Sequence, residues 1–268
     1  MSGKTIIDSN CVIGFTPKFA VGCRRITPGE PYLKAIQKEN VQVHFTPVVK
    51  IVPEGVVGGD GVTRVVDSII CATGFDVSFT PRFPIIGRNG VALAERWRDE
   101  PNAYFGVTVP DMPNLVMQGG PPTPVQNGTP FGAFHTHANY ALQVIKKMQR
   151  DNIRLLQPKR TVTEAFNRHA QDYLMNTVFA DSCRAWYKNN ETGRITAIWP
   201  GSALQYKELL DSARWEDYEI EYRDKDNMFA FLGNGLVKEH VNPELDITYY
   251  LNVSNIDPRW LKEVQGQK

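Results

Sequence analysis

Residues 67–76 read Asp-Ser-Ile-Ile-Cys-Ala-Thr-Gly-Phe-Asp, an apolar run closed by a glycine, and no dinucleotide-binding glycine loop stands before it. The apolar stretch Asp67 to Ala72 has the length and composition of a buried strand. A nucleotide-binding unit would need G-x-G-x-x-G between a strand and a helix. The one glycine-dense stretch upstream, Gly55-Val56-Val57-Gly58-Gly59-Asp60-Gly61, has the wrong spacing and no helical pattern after it. It lies between two strand-like runs, Val48 to Val52 and Thr63 to Val66, and so is expected to be a hairpin turn joining them.

With 268 residues, 42% of them hydrophobic, the chain can bury a core as one large or two small domains. Acids and bases are interspersed and the net charge is +1. There is no basic stripe, so a nucleic-acid partner is not expected. No apolar run approaches the roughly 18 residues a membrane span needs. Cys11, Cys23, Cys71 and Cys183 are scattered. They form neither a C-x-x-C metal site nor a disulfide framework, which implies reduced thiols, a cytoplasmic location and no metal.

Tyr32 to Lys38 suits a short helix, Val41 to Phe45 alternates like a strand, and residues 76–114 form an irregular excursion with a short helix near Leu93–Trp97. Asn114 to Met117 is a short apolar strand. A long helix is expected over Phe131–Gln149, where Ala133, Phe134, Ala138, Ala141, Leu142, Ile145 and Met148 recur at helical spacing. A second starts at a capping box, Thr161-Val162-Thr163-Glu164, and runs to about Phe179. Beyond it, short aromatic elements and a charged tail read as a wrap rather than a domain.

Several runs converge in order: Gly22-Cys23-Arg24-Arg25, Cys71-Ala72-Thr73-Gly74-Phe75-Asp76, Pro113-Asn114-Leu115-Val116-Met117-Gln118-Gly119-Gly120-Pro121, Cys183-Arg184-Ala185-Trp186-Tyr187-Lys188, and Trp199-Pro200-Gly201-Ser202. In this order they resemble the C-terminal half of fungal-type Baeyer–Villiger monooxygenases, a branch of the flavin-containing monooxygenases, over roughly Cys11 to Tyr222. The resemblance implies an α/β fold: a remnant of the FAD domain with a mixed sheet, two main helices and an irregular aromatic C-terminal wrap. It implies one truncated unit, with 1–66 from the NADPH-domain and linker region, 67–158 from the FAD domain and 159–268 the C-terminal helix and wrap.

The FAD and NADPH loops of that family have no counterpart here. FAD is held chiefly by its pyrophosphate at a glycine-rich helix N-terminus, so no cofactor is expected unless the missing half is supplied. The retained half would keep part of an apolar pocket. On that basis the chain is expected to be a cofactor-independent cyclase or isomerase of natural-product biosynthesis, such as an intramolecular Diels–Alder pericyclase. A fragment or subunit of a genuine FAD/NADPH monooxygenase and a non-catalytic small-molecule-binding pseudoenzyme are the alternatives.

The polar candidates for the pocket are His135, His137, Thr123, Gln126 and Asn127; its walls would be Pro121, Pro122, Phe131, Cys183, Trp186, Tyr187 and Trp199. His135 and His137 are two apart on a helix and point to different faces, a poor metal pair. His169 reads as a core residue of the second helix. The expected partners are an apolar small molecule and a second copy of the chain, which would cover the apolar face left by the missing half.

Overall fold

Proline in the first turn, helical apolar spacing and β-branched runs place the elements along the chain. The computed structural model describes residues 9–26, 29–74, 76–125 and 129–251. In chain order these residues form α1 (Ser9–Phe15), α2 (Glu30–Ala35), β1 (Val48–Val52), β2 (Gly55–Gly58), β3 (Thr63–Val65), α3 (Leu93–Arg96), α4 (Phe131–Arg150), β4 (Ile153–Pro158), α5 (Arg160–Leu174), α6 (Ala203–Leu210), β5 (Tyr218–Tyr222) and α7 (Lys238–Val241). The architecture is α/β, with two long helices and two small antiparallel sheets, β1-β2-β3 and β4-β5.

Only the end of the glycine stretch is the expected turn: Gly55–Gly58 forms β2, the central strand, and Gly59-Asp60-Gly61 turns the chain into β3. Gly55 pairs with Val52 on one side and Val65 on the other. A Cβ at Gly55 would collide with the Arg64 carbonyl oxygen, so the close approach of β3 requires glycine there. Counting the glycines as a turn hides the Val56-Val57 pair that carries the strand.

The apolar run Asp67 to Ala72 forms no strand and is exposed; Ile70 is 93% exposed. Among the described residues no strand lies beside it to take its N–H and C=O groups, and a strand needs that ladder. Val41 to Phe45 and Asn114 to Met117 are likewise irregular. The latter is held at its ends: Asn114 N–H donates to the Leu156 carbonyl and its side chain bonds Leu156 N–H and the Arg154 carbonyl, while Met117 N–H donates to the Val107 carbonyl.

Both long helices form where the periodicity places them, but α4 buries a different stripe. Its inner face is Ala133, Thr136, His137, Tyr140 and Val144. Phe134, Leu142 and Ile145 lie on the outside. Amphipathic counting scored the aliphatic stripe; the core instead uses aromatic side chains whose polar ends find partners inside. The capping box of α5 does not form: its N-cap is Lys159, with no side-chain cap, and the Thr163 hydroxyl donates back to the Lys159 carbonyl. The helix ends at Leu174, short of Phe179, and His169 is exposed rather than core.

Residues 203–222 are integral to the core and not a wrap. β5 pairs antiparallel to β4, with Leu156 opposite Ile220 and Pro158 opposite Tyr218. Tyr206 and Leu210 of α6 are sealed in the main cluster with Tyr104, Val107, Tyr140, Val144, Ile153, Leu156, Trp199 and Tyr218. A second cluster gathers Cys23, Leu174, Cys183, Tyr187 and Ile195. A third packs Leu93, Trp97, Val109 and Met112.

Cys23 and Cys183, 160 residues apart, are joined by a disulfide, against the expectation of reduced thiols. Their sequence separation concealed a spatial pair. Cys71 is free and exposed. Among the described residues, no helix is long and apolar enough to cross a membrane.

Candidate functional site

The loop Gly119-Gly120-Pro121-Pro122-Thr123 precedes α4 and is fixed from three directions. From the C-terminal side, Thr123 N–H donates to the Ala197 carbonyl (3.0 Å) and Trp199 N–H donates to the Thr123 carbonyl (3.3 Å), a parallel bridge between Thr123 and Ile198. The Thr123 hydroxyl donates to the Gly120 carbonyl and closes the loop on itself. From below, the turn at Gly106 presses against it. Gly106 has φ +70°, and a Cβ there would collide with the Pro122 carbonyl oxygen and stand 2.7 Å from that of Gly120. Only glycine allows this approach of backbone to backbone.

The third hold comes from α4. Gly119 N–H donates to His137 Nδ1 (3.0 Å), and His137 Nε2 lies 2.6 Å from the Tyr206 hydroxyl. That hydroxyl donates onward to the Phe105 carbonyl (2.7 Å). The chain of bonds therefore fixes the tautomer: Nε2 carries the proton and donates to Tyr206, and Nδ1 is the acceptor. His137 and Tyr206 are both fully buried. Burial lowers the His137 pKa to about 4, so the ring is neutral at pH 7 and both nitrogens are committed. Burial likewise pushes the Tyr206 phenol upward.

This arrangement gives stability a pH dependence of definite sign. The folded-state pKa of His137 is depressed from about 6.5 to about 4, so the unfolded chain binds the proton more readily. Its contribution is complete above about 6.5 and is lost as pH falls toward about 4. At about 1.4 kcal/mol per unit this amounts to roughly 3 kcal/mol. Urea unfolding across that window should show a steeper loss for the native chain than for His137→Asn. Parallel pH profiles would refute it.

Trp199 and Ser202 acquire definite roles. The Ser202 hydroxyl caps α6, accepting from Gln205 N–H (3.1 Å). Trp199 Nε1 donates to Gln205 Oε1 (3.2 Å), and the Trp199 ring packs against Phe105, Phe166 and Tyr206. Beside this, Tyr140 and Tyr218 share a hydroxyl contact of 2.7 Å, and Tyr104 donates to Asp217, which Arg214 also engages. Burial drives the Tyr218 pKa up to about 12, against the hydrogen bonds from Thr108 and Tyr140, which pull it down.

Of the candidates, Pro121, Pro122, Thr123, His137 and Trp199 meet here, all buried. The others do not join them. His135 faces outward, 3.2 Å from Asn139. Phe131 is 74% exposed and Trp186 49%. Tyr187 and Cys183 sit in the second cluster, where the Tyr187 hydroxyl donates to the Cys23 carbonyl. Gln126 and Asn127 lie outside the described residues. The expected apolar cavity is not formed by the described members of this set, because Trp199 and Tyr187 are themselves packed as core. Cys183 borders an open space of about 420 Å³ that is charged, with Asp181, Arg184, Lys188 and Glu191 around it.

Tyr206 and Gly106 were missed. The signal for Tyr206 was its place on the inner side of a Ser-capped helix; Gly106 carried none without knowledge of its neighbour. Nothing among the described residues forms a strand, glycine-rich turn and helix of the kind a pyrophosphate requires. The residues present make a wall, not a cradle.

No protein-family model matches the sequence. The chain is 52% identical over 263 residues to the FAD-binding monooxygenase moxY of Dothistroma septosporum, covering 97% of this chain and 42% of that protein. It is 49% identical to the FAD-binding monooxygenase stcW of Emericella nidulans, over 97% of this chain and 44% of the relative. Among solved structures, cyclohexanone monooxygenase from Rhodococcus sp. Phi1 bound to NADP+ superposes with a TM-score of 0.71 at 24% identity, over 82% of this chain and 43% of that one. That likeness is one of fold. OTEMO in complex with FAD and NADP superposes with a TM-score of 0.70. These findings overturn the expectation of a cofactor-free protein: the relatives that match nearly the whole chain are FAD-binding enzymes. The chain spans less than half the length of the curated relatives it matches, and within that span it is a relative of the FAD-binding monooxygenases with the fold of the Baeyer–Villiger enzymes.

Proposed function

We propose that this chain supplies the C-terminal portion of an FAD-binding monooxygenase of the Baeyer–Villiger type, with the Gly119–Thr123 loop as part of the wall against which flavin and substrate are held. The observation that supports this most is the identity of 52% carried through 97% of the chain, the loop and the Trp199–Ser202 segment included. The pyrophosphate cradle belongs, in this reading, to the part of the relatives that the chain does not span. Flavin would supply oxygen activation. The residues of this chain would shape the site and exclude water from it. The cyclase reading has no such support: its cavity would have to be enclosed and apolar, and the site described here is filled by its own side chains.

The test is reconstitution. The chain is co-expressed with the preceding portion of the Dothistroma septosporum relative and the mixture is separated by size. The expected result is co-elution with a visible flavin absorption band that neither portion retains alone. Separate elution, or flavin bound equally without this chain, would sink the proposal. The same reading gives the apolar outer stripe of α4 to that missing portion rather than to a second copy.

A further inference from the structure

A buried histidine is a costly choice where an aliphatic residue would fill the space, because each polar atom must find a partner. At position 137 both ring nitrogens do, and one of the partners is not another side chain but a loop peptide, Gly119 N–H. The grip is two-sided. One helical turn earlier, the Phe134 ring comes within 3.0 Å of where a Gly119 Cβ would stand, and Gly119 has φ +73°. Helix α4 thus holds the first residue of the loop by a ring against its Cα and an acceptor on its N–H. A peptide held at one N–H cannot rotate freely about its neighbours, so the direction of the Gly119–Gly120 backbone is set from the helix.

We propose that His137 is a positioning residue of this site, acting through Gly119 and touching neither flavin nor substrate, and that Tyr206 keeps it in that role. With Tyr206 accepting from Nε2 and donating to the Phe105 carbonyl, the proton of the ring has one place to be. Nδ1 therefore remains an acceptor. Without the Tyr206 hydroxyl the proton is free to move to Nδ1, where it would face the Gly119 N–H and displace it. The role as a positioner of the reaction site rests on the functional reading above; the hold on the loop is a property of this chain alone.

The experiment is amide hydrogen exchange, resolved residue by residue by NMR, on the full chain and its His137→Leu, His137→Asn and Tyr206→Phe variants. His137→Leu should speed exchange at Gly119 by roughly tenfold or more while the amides of α4 keep their protection. His137→Asn should restore most of it, because its side-chain oxygen lies near the place of Nδ1. Tyr206→Phe should deprotect Gly119 with His137 still present. Unchanged Gly119 exchange in His137→Leu, or loss spread evenly over α4, overturns the proposal. Exchange decides the role of His137 and the reconstitution experiment decides the function, so the two can fail separately.

Discussion

Breaking the Cys23–Cys183 disulfide, by Cys23→Ser or by reduction, is expected to destabilise the chain by about 3–5 kcal/mol. The bond closes a loop of 160 residues, and the entropy that cross-linking removes from the unfolded chain rises with loop length. Both cysteines are buried, at 0% and 2% exposure, so loss of the bond also leaves two thiols on reduction, or a hydroxyl and a thiol in Cys23→Ser, packed among Leu174, Ala185 and Ile195. Other ties hold the same segment: Asp181 accepts from Ala20 N–H, and Arg24 Nε donates to the Arg184 carbonyl. These are exposed and contribute less. Denaturant unfolding with and without reductant measures the difference. An unchanged midpoint in a chain shown to carry free thiols at both positions would contradict it.

Gly106→Ala should cost about 3–5 kcal/mol, an unusually large effect for adding one methyl group. Two causes combine. The left-handed backbone at φ +70° penalises any residue with a Cβ, by roughly 1–2 kcal/mol. The new methyl also runs into the carbonyl oxygens of Pro122 and Gly120, which are backbone atoms and cannot swing aside like a side-chain tip. Relief requires the Gly119–Thr123 loop to lift, which pulls on the Thr123–Ala197 bond and on the Gly119–His137 bond together. Thermal unfolding reports the cost, and loss of Gly119 protection reports the displacement. Gly90→Ala is the control: it shares a positive φ of +78° but has open space where the Cβ would go, so it should show the backbone penalty alone.

What the sequence discloses and what it hides divide along physical lines. Helices α4 and α5 are legible because their hydrogen bonds are local and their apolar spacing is enough. The stripe that α4 buries is not, since Tyr140 and His137 count as core only when Tyr218 and Tyr206 are known to meet them. Strand β5 was legible in principle: Tyr218-Glu219-Ile220-Glu221-Tyr222 alternates apolar and charged residues. Its glutamates instead read as a solvated tail. The run Asp67 to Ala72 fails in the opposite way, having a strand's composition but no strand beside it among the described residues. Of the residues expected in a pocket, Thr123, Pro121 and Trp199 come together at the Gly119–Thr123 loop. Cys183 and Tyr187, expected as pocket walls, lie in the cluster around the Cys23–Cys183 disulfide, a pairing of residues 160 apart that no local pattern discloses.

Apart from the turn at Gly106, which comes earlier, the ties that complete the loop run forward along the chain. Thr123 waits for Ala197 and Trp199, Gly119 for His137, His137 for Tyr206, and β4 for β5. A chain made from its N-terminus on the ribosome therefore exposes the Gly119–Thr123 loop well before most of the residues that hold it have been synthesised. The wall of the site is finished late in translation. An early stop or a cut ahead of Tyr206 would leave α4 with a buried-type histidine and no partner for it, and quality control would meet a protein whose helices are present and whose site is not.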